Sequence, residues 1–313
     1  MKITKKIFLI IFAVFFIIGC KNKEEKLKEI NMSYVKGPLS IPSILEKNLG
    51  TAEKEFEAEG IKVNFHDVTS GPQQVQALMA GDLDILHAFG GTSAIISASN
   101  GAEFTVINVY SRSPKGFMLV SNSDEINSPQ DLRGKKIAGP KGTILHQLLA
   151  AYLEKAGMTT DDVQFINMKV NDAEAALESR LVDAVLLTGP SAENAVKRGA
   201  EVITNGEGLV QGIIVTAVSN DFLKKYPHIV ERIVKLNEKT ADFIKNNSDE
   251  TVKIVSRETG LSEEEVRKMK EIYDFNPQIK ESDIEELKNT QEFLIKSGLQ
   301  ENRVDIDKLI LKK

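Results

Sequence analysis

The chain has 313 residues, 42% of them hydrophobic and 27% charged, with a formal net charge of -5 and a single cysteine. That length predicts roughly two domains of about 100 to 200 residues each, ample for buried cores. One cysteine excludes an internal disulfide and a cysteine-rich zinc site, and the acidic balance gives no footing for nucleic acid or an anionic membrane surface as a partner.

Residues 1–20, MKITKKIFLIIFAVFFIIGC, place Lys2, Lys5 and Lys6 before an uncharged apolar run from Ile7 to Ile18. A membrane-spanning helix needs about 20 apolar residues, so this shorter run reads as a secretory signal peptide over residues 1–19. Ile17-Ile18-Gly19-Cys20 resembles a bacterial lipobox, which implies lipidation of Cys20 once the signal is removed. Removal also takes away three lysines and moves the net charge from -5 to -8 (-5 minus 3). Residues 20–29 carry KNKEEKLKE after the cysteine, charged and without apolar periodicity, and are expected to form a flexible tether.

From Ile30 one unit returns five times: a strand-like run, a glycine turn, then helical periodicity. INMSYV leads to Lys36-Gly37-Pro38-Leu39-Ser40 and a helix to about Asn48. KVNFHDVTS leads through Ser70 to Gly71-Pro72, and LDILHAF to Gly90-Gly91-Thr92-Ser93. KKIAG precedes Gly142-Thr143 and a helix carrying His146, and VDAVLLT precedes Gly189-Pro190-Ser191. Proline suits a first helical turn because its missing N–H would be unpaired there anyway. Glycine permits close backbone approach, and the free N–H groups of a first turn attract an anion or a carbonyl oxygen.

Repeated strand–helix alternation predicts parallel or mixed sheets with helices on both faces, whose ligands sit outside the carboxyl ends of the strands. The sequence GPKGT is not a nucleotide P-loop, because Lys141 precedes Gly142 instead of following the glycine. Any one of these turns could simply cap a helix. Five at equivalent positions point to a shared site.

DLRGKKIAGPKG near Asp131 opens a second unit, and GLVQGIIVTAVSNDFLKKYP reads as a return strand followed by a new helix. Beyond Pro227 the pattern is helical and rich in Lys and Glu, with starts at Ser248-Asp249, at Ser262 with Glu265 as a capping box, and at Ser282-Asp283. This tail is expected to be structural. Four scattered histidines, no His-Glu-x-x-His and no Gly-x-Ser-x-Gly leave no catalytic or metal motif, and AGDLDI with Asp82, Asp84 and His87 reads as a surface turn before a strand. Lys36, Arg112 and Lys141 are the cations available to an anionic ligand, while Tyr34 and Tyr110 either line a cleft or pack in a sheet. Arg180 is expected on the outside of a helix end.

In order and spacing, SYVKGP, SGPQQVQALMAGDLDILHAFGG, DLRGKKIAGPKGTILHQLLAAYLEKAG, DAEAALESRLVDAVLLTGPSAE and SNDFLKKYPHIVERIVK resemble the substrate-binding lipoproteins of bacterial ABC importers. The group includes aliphatic-sulfonate, taurine and nitrate binding proteins, and the likeness runs from about Ile30 to Lys245. It implies an α/β, two-lobed, periplasmic-binding-protein-like (type II) fold with an interlobe ligand cleft and a helical C-terminal segment. Lobe 1 would hold residues 30–118 and 216–313 and lobe 2 residues 119–215, with hinge strands near Gly116–Ser121 and Gly212–Ser219.

The resemblance implies ligand contacts at Lys36, Gly37, Pro38, Ser70, Gly71, Gly90, Gly91, Thr92, Gly142, Thr143, His146, Gly189 and Pro190. Thr188-Gly189-Pro190 replaces the Trp-Asp-Pro often found in sulfonate binders, Ser93 stands where an acidic residue is common, and the chain has no tryptophan. The implied protein is a monomer without cofactor, metal or catalytic residues, lipid-anchored to the outer face of a bacterial membrane. It would deliver a small polar or anionic organic ligand to an ABC permease. A thiamine-precursor-type heterocycle, or an enzyme on the same fold, are the alternatives.

Overall fold

The computed structural model describes residues 26–35 and 40–312. Cys20, the signal segment, the start of the tether and the Lys36-Gly37-Pro38 turn lie outside the described residues.

Ten strands appear among the described residues: β1 (Glu29–Tyr34), β2 (Lys62–Asp67), β3 (Ile85–Gly90), β4 (Phe104–Arg112), β5 (Phe117–Ser121), β6 (Lys136–Gly139), β7 (Gln164–Asn167), β8 (Ala184–Thr188), β9 (Glu201–Asn205) and β10 (Ile213–Ser219). They form two five-stranded sheets, β2-β1-β3-β10-β4 and β7-β6-β8-β5-β9. The same plan serves both. Four strands run in one direction, and the fourth position is taken by an antiparallel strand reached from the other sheet, β10 in the first and β5 in the second. The chain therefore crosses between sheets twice, after β4 and before β10.

The helices are α1 (Ile41–Leu49), α2 (Thr51–Glu57), α3 (Gly71–Ala80), α4 (Gly91–Ser99), α5 (Ile144–Glu154), α6 (Val170–Glu178), α7 (Gly189–Lys197), α8 (Asn220–Lys225), α9 (Pro227–Asn246), α10 (Ser248–Thr259), α11 (Glu263–Glu271), α12 (Glu281–Lys296) and α13 (Ile306–Leu309). All five expected passes are present, as β1–α1, β2–α3, β3–α4, β6–α5 and β8–α7. Local chemistry explains their starts. At α3, Ser70 Oγ accepts from Gln73 N–H at 3.4 Å and Pro72 occupies the first turn. Because helices cover both faces of the sheets, inner strands such as β8 are continuously apolar, here from Ala184 to Leu187, with no alternation.

The helical tail does more than decorate the surface. Leu287 and Leu294 of α12 are buried in one cluster with Leu86, Phe89 and Val215 of the first sheet, while Ile229, Ile233 and Leu236 of α9 cover its opposite face with Ile30, Met32 and Ile85. The join is fastened by Arg112 at the end of β4. Its guanidinium donates to both Asp283 oxygens at 2.6 Å, to Asp274 at 3.2 Å, and to the carbonyls of Asn276 and Gln278 at 2.8 and 2.9 Å. Arg112, a candidate for an anionic ligand on sequence grounds, is thus engaged by five bonds to the C-terminal segment and has no donor to spare for a ligand. Expected helix starts hold at Ser248 and at the Ser262–Glu265 capping box, while α12 begins at Glu281, with the Asp283 carboxylate accepting from Lys280 N–H at 2.7 Å. Arg180 stands exposed just past α6, as expected.

Candidate functional site

Three of the glycine turns meet at the starts of α3, α4 and α5. A Cβ added to Gly71 would fall 2.7 Å from both Cβ and Oγ of Ser93, so the α3 and α4 starts are in contact. Ser93 Oγ donates to the Gly142 carbonyl at 2.8 Å, joining a turn of the first sheet to a turn of the second. Gly90 lies against Ile144, the first residue of α5. Beside this junction Thr92 Oγ1 donates to the Gln147 side chain, which in turn donates to Thr290 Oγ1 at 3.3 Å, so α4, α5 and α12 share one polar chain. Gly91 packs against α12 and the start of β10, because a Cβ there would meet Leu287 at 2.9 Å and the Ile213 carbonyl at 3.0 Å.

The Gly142 turn is held by its own neighbours. Gly142 takes φ 71°, its N–H donates to His146 Nδ1 at 3.3 Å, and Thr143 Oγ1 donates to the Pro140 carbonyl at 2.9 Å. His146 is 3% exposed and stacks on Phe165 with centroids 4.4 Å apart. Burial, helped by Lys141, pushes its pKa down to about 4, so it is neutral near pH 7 and acts as an acceptor that fixes the loop. Lys141 itself is exposed, and its backbone N–H donates to Asn167 Oδ1 at 2.9 Å.

Gly189 and Pro190 open α7 at a different place, against the crossover. Thr188 Oγ1 donates to the Gly116 carbonyl at 2.6 Å, and a Cβ on Gly116 would sit 2.7 Å from the buried Tyr273 hydroxyl. Thus Ser70–Gly71, Gly90–Thr92 and Gly142–His146 are brought together, with Gly189 at the adjoining crossover.

A second polar set joins Tyr110, which the sequence left open between a cleft and a sheet, to Ser43 and Glu46, which the sequence did not single out. Ser40 and Ser43 at the start of α1 are fully buried, and the Tyr110 hydroxyl lies 3.2 Å from Ser43 N and 2.6 Å from Ser43 Oγ. Tyr110 therefore turns its hydroxyl to a helix start, whereas Tyr34 donates to Glu258 of α10 at 2.9 Å and packs in the core. One turn further along α1, Glu46 lies 3.7 Å from His87 Nδ1, with both side chains buried. That distance is too long for a hydrogen bond. Burial pushes Glu46 up to about 8 and His87 down to about 4, so both are uncharged near neutral pH. Ala88, beside His87, holds φ 53°, an uncommon conformation for a residue with a Cβ. The sequence signal for this set was weak: two serines three apart after a glycine-proline turn.

Comparison with known proteins matches this architecture. A relative from Bacillus subtilis strain 168, named for aliphatic sulfonate binding, is 28% identical over 316 residues, covering 98% of this chain and 94% of that protein. The alkanesulfonate-binding protein SsuA of Xanthomonas axonopodis pv. citri, solved with MOPS bound, superposes with a TM-score of 0.84 at 20% identity, covering 92% of this chain and 99% of that one. The periplasmic aliphatic sulphonate binding protein SsuA of Escherichia coli gives 0.77 at 21% identity, covering 91% and 92%. At those identities the structures establish the fold, the periplasmic-binding-protein-like α/β architecture expected from the sequence. The model of the family described as NMT1/THI5 like matches residues 52–251, well over half of the chain, and the chain belongs to that family.

Proposed function

We propose that this protein is the extracytoplasmic solute-binding component of an ABC importer, and that it takes small organic sulfonates, taurine-like compounds included. The observation that carries the reading is the Ser93–Gly142 bond, which joins glycine turns from two sheets at the carboxyl ends of their strands, the place where open α/β sheets bind ligands. Relatives and structural neighbours named for sulfonate binding support the ligand class. Residues 30–118 with 216–313 and residues 119–215 would act as two lobes, and a ligand touching both would favour the closed state presented to a permease. Cys20 would anchor the chain by lipid to the outer face of a bacterial membrane. The protein would act as a monomer and perform no reaction.

The test is calorimetric titration of the full-length protein, held in mild detergent, with ethanesulfonate, butanesulfonate and taurine, against nitrate, acetate and an aminopyrimidine. Saturable binding of a sulfonate is expected, with a rise in Tm, since a ligand at 100 times Kd stabilises by about 2.7 kcal/mol. Binding confined to the aminopyrimidine would transfer the reading to the heterocycle alternative, and chemical conversion of any of these compounds would establish an enzyme. Cys20→Ala is expected to release the protein from the membrane fraction.

A further inference from the structure

A cavity of about 10 Å³ lies where α4, α5, α12 and the crossover into β10 meet, with room for one particle the size of a water molecule. Thr92 lines it from the start of α4, Gln147 from the first turn of α5, Gln211 from the crossover, and Glu286 and Thr290 from α12. Glu286 and Thr290 are four residues apart on one helix, so their side chains share a face.

The polar side chains around this space are rich in oxygens with lone pairs left over. Thr92 Oγ1 gives its proton to Gln147 Oε1 and keeps its own lone pairs. Gln147 Oε1 thereby accepts one bond of the two it can take. Thr290 Oγ1 accepts from Gln147 Nε2 at 3.3 Å, which leaves it a second lone pair. These three side chains are each 6% exposed or less, so bulk water does not reach most of their surface.

Glu286 brings the charge. It is half-buried, and the bond it accepts from Gln211 N–H is a long one at 3.4 Å. Asp283, three residues earlier on the same helix, is matched by Arg112, but no Lys, Arg or His among the described residues pairs with Glu286. A carboxylate partly withdrawn from water without a counter-charge is costly. Hard cations take oxygen ligands, and one carboxylate among neutral oxygens balances one positive charge. Among the described residues, no three His, Cys, Asp or Glu side chains converge to hold a more highly charged ion.

We propose that this cavity binds one monovalent cation of the size of sodium, held by the Glu286 carboxylate and the side-chain oxygens of Thr92, Gln147 and Thr290. Exposed Gln211 and half-buried Glu286 mark its route from solvent. The ion joins α5, which follows a strand of the second sheet, to α4 and α12, which pack on the first, and it steadies that joint. This site does not depend on the sulfonate reading.

The test follows Tm of the full-length protein in mild detergent, without organic ligand, in the chlorides of sodium, potassium and choline at one ionic strength. Choline is too bulky for this space and reports the effect of salt alone. Sodium at about tenfold excess over its Kd should raise Tm by about 2 to 4 °C over choline, with saturation, and the larger potassium ion should give less. Glu286→Gln keeps the shape of the side chain and should have the same Tm in sodium as in choline, its choline value showing that it folds. Thr290→Val removes one oxygen and no charge, and should need several-fold more sodium to reach half of the rise. Equal wild-type Tm in sodium and choline overturns the site. A sodium-dependent rise that Glu286→Gln retains in full overturns the assignment to this cavity, and an unchanged sodium requirement in Thr290→Val overturns the role of Thr290. Equal rises with sodium and potassium overturn the selection by size.

Discussion

Replacing Arg112 with alanine distinguishes a structural guanidinium from a ligand-binding one. The side chain is 13% exposed and Asp283 only 5%, so their pair is largely shielded from water and the small values typical of surface ion pairs do not apply. Truncation leaves Asp283 buried with the Lys280 N–H as its remaining donor at 2.7 Å. Removing one partner of a buried pair costs about 3 to 5 kcal/mol, a large share of the about 5 to 15 kcal/mol that holds an ordinary domain together. Urea unfolding of Arg112→Ala should therefore show a loss of about 3 kcal/mol or more, with Arg112→Lys intermediate because an ammonium keeps the charge but not the planar fork. Burial pushes the Asp283 carboxyl up, but the bonds from Arg112 and from Lys280 N–H outweigh it and hold it below the ordinary range. Its contribution is accordingly present at neutral pH and fades as the pH falls through the ordinary aspartate value of about 4 and below. A variant that unfolds at the wild-type urea concentration while losing ethanesulfonate binding would refute the reasoning and return Arg112 to the ligand.

Gly212, at the second crossover, takes φ 64°, and a Cβ there would lie 2.6 Å from the Ser113 carbonyl oxygen. Gly212→Ala should cost about 2 kcal/mol or more in chemical denaturation, combining backbone strain with a clash that has no side chain to yield. Glu46→Gln tests the buried carboxyl. Its raised value means that wild-type stability falls as the pH climbs from the unfolded value near 4.5 to about 8, so the variant should gain on wild type over that window by more than about 1 kcal/mol. A constant difference between the two from pH 5 to 8 would show that Glu46 titrates normally. Ser93→Ala removes the hydroxyl that links the two sheets, and small-angle scattering of the ligand-free protein should report a larger radius of gyration. An unchanged radius would mean that other contacts, such as the Thr92–Gln147–Thr290 chain, hold the sheets together without it.

The sequence alone determined the repeating unit of this protein. Strand runs such as VDAVLLT, glycine and proline at helix starts, and the Ser262–Glu265 box are short-range signals, each decided by backbone conformation and by hydrogen bonds within a few residues. They located β1–α1, β2–α3, β3–α4, β6–α5 and β8–α7 and the turns between them, and the order of those turns carried the family resemblance. The sequence could not show which turns meet. Ser93 and Gly142 are 49 residues apart, Ser43 and Tyr110 are 67 apart, and Arg112 and Asp283 are 171 apart. Only the two crossovers, which insert β10 into the first sheet and β5 into the second, bring such pairs within bonding distance. Tertiary structure likewise decided protonation and role. Burial drove His146 and His87 down and Glu46 up, and it turned Arg112 from a free cation into a fastener. Desolvation and pairing depend on what surrounds a side chain in three dimensions, and that is fixed by the packing of distant segments.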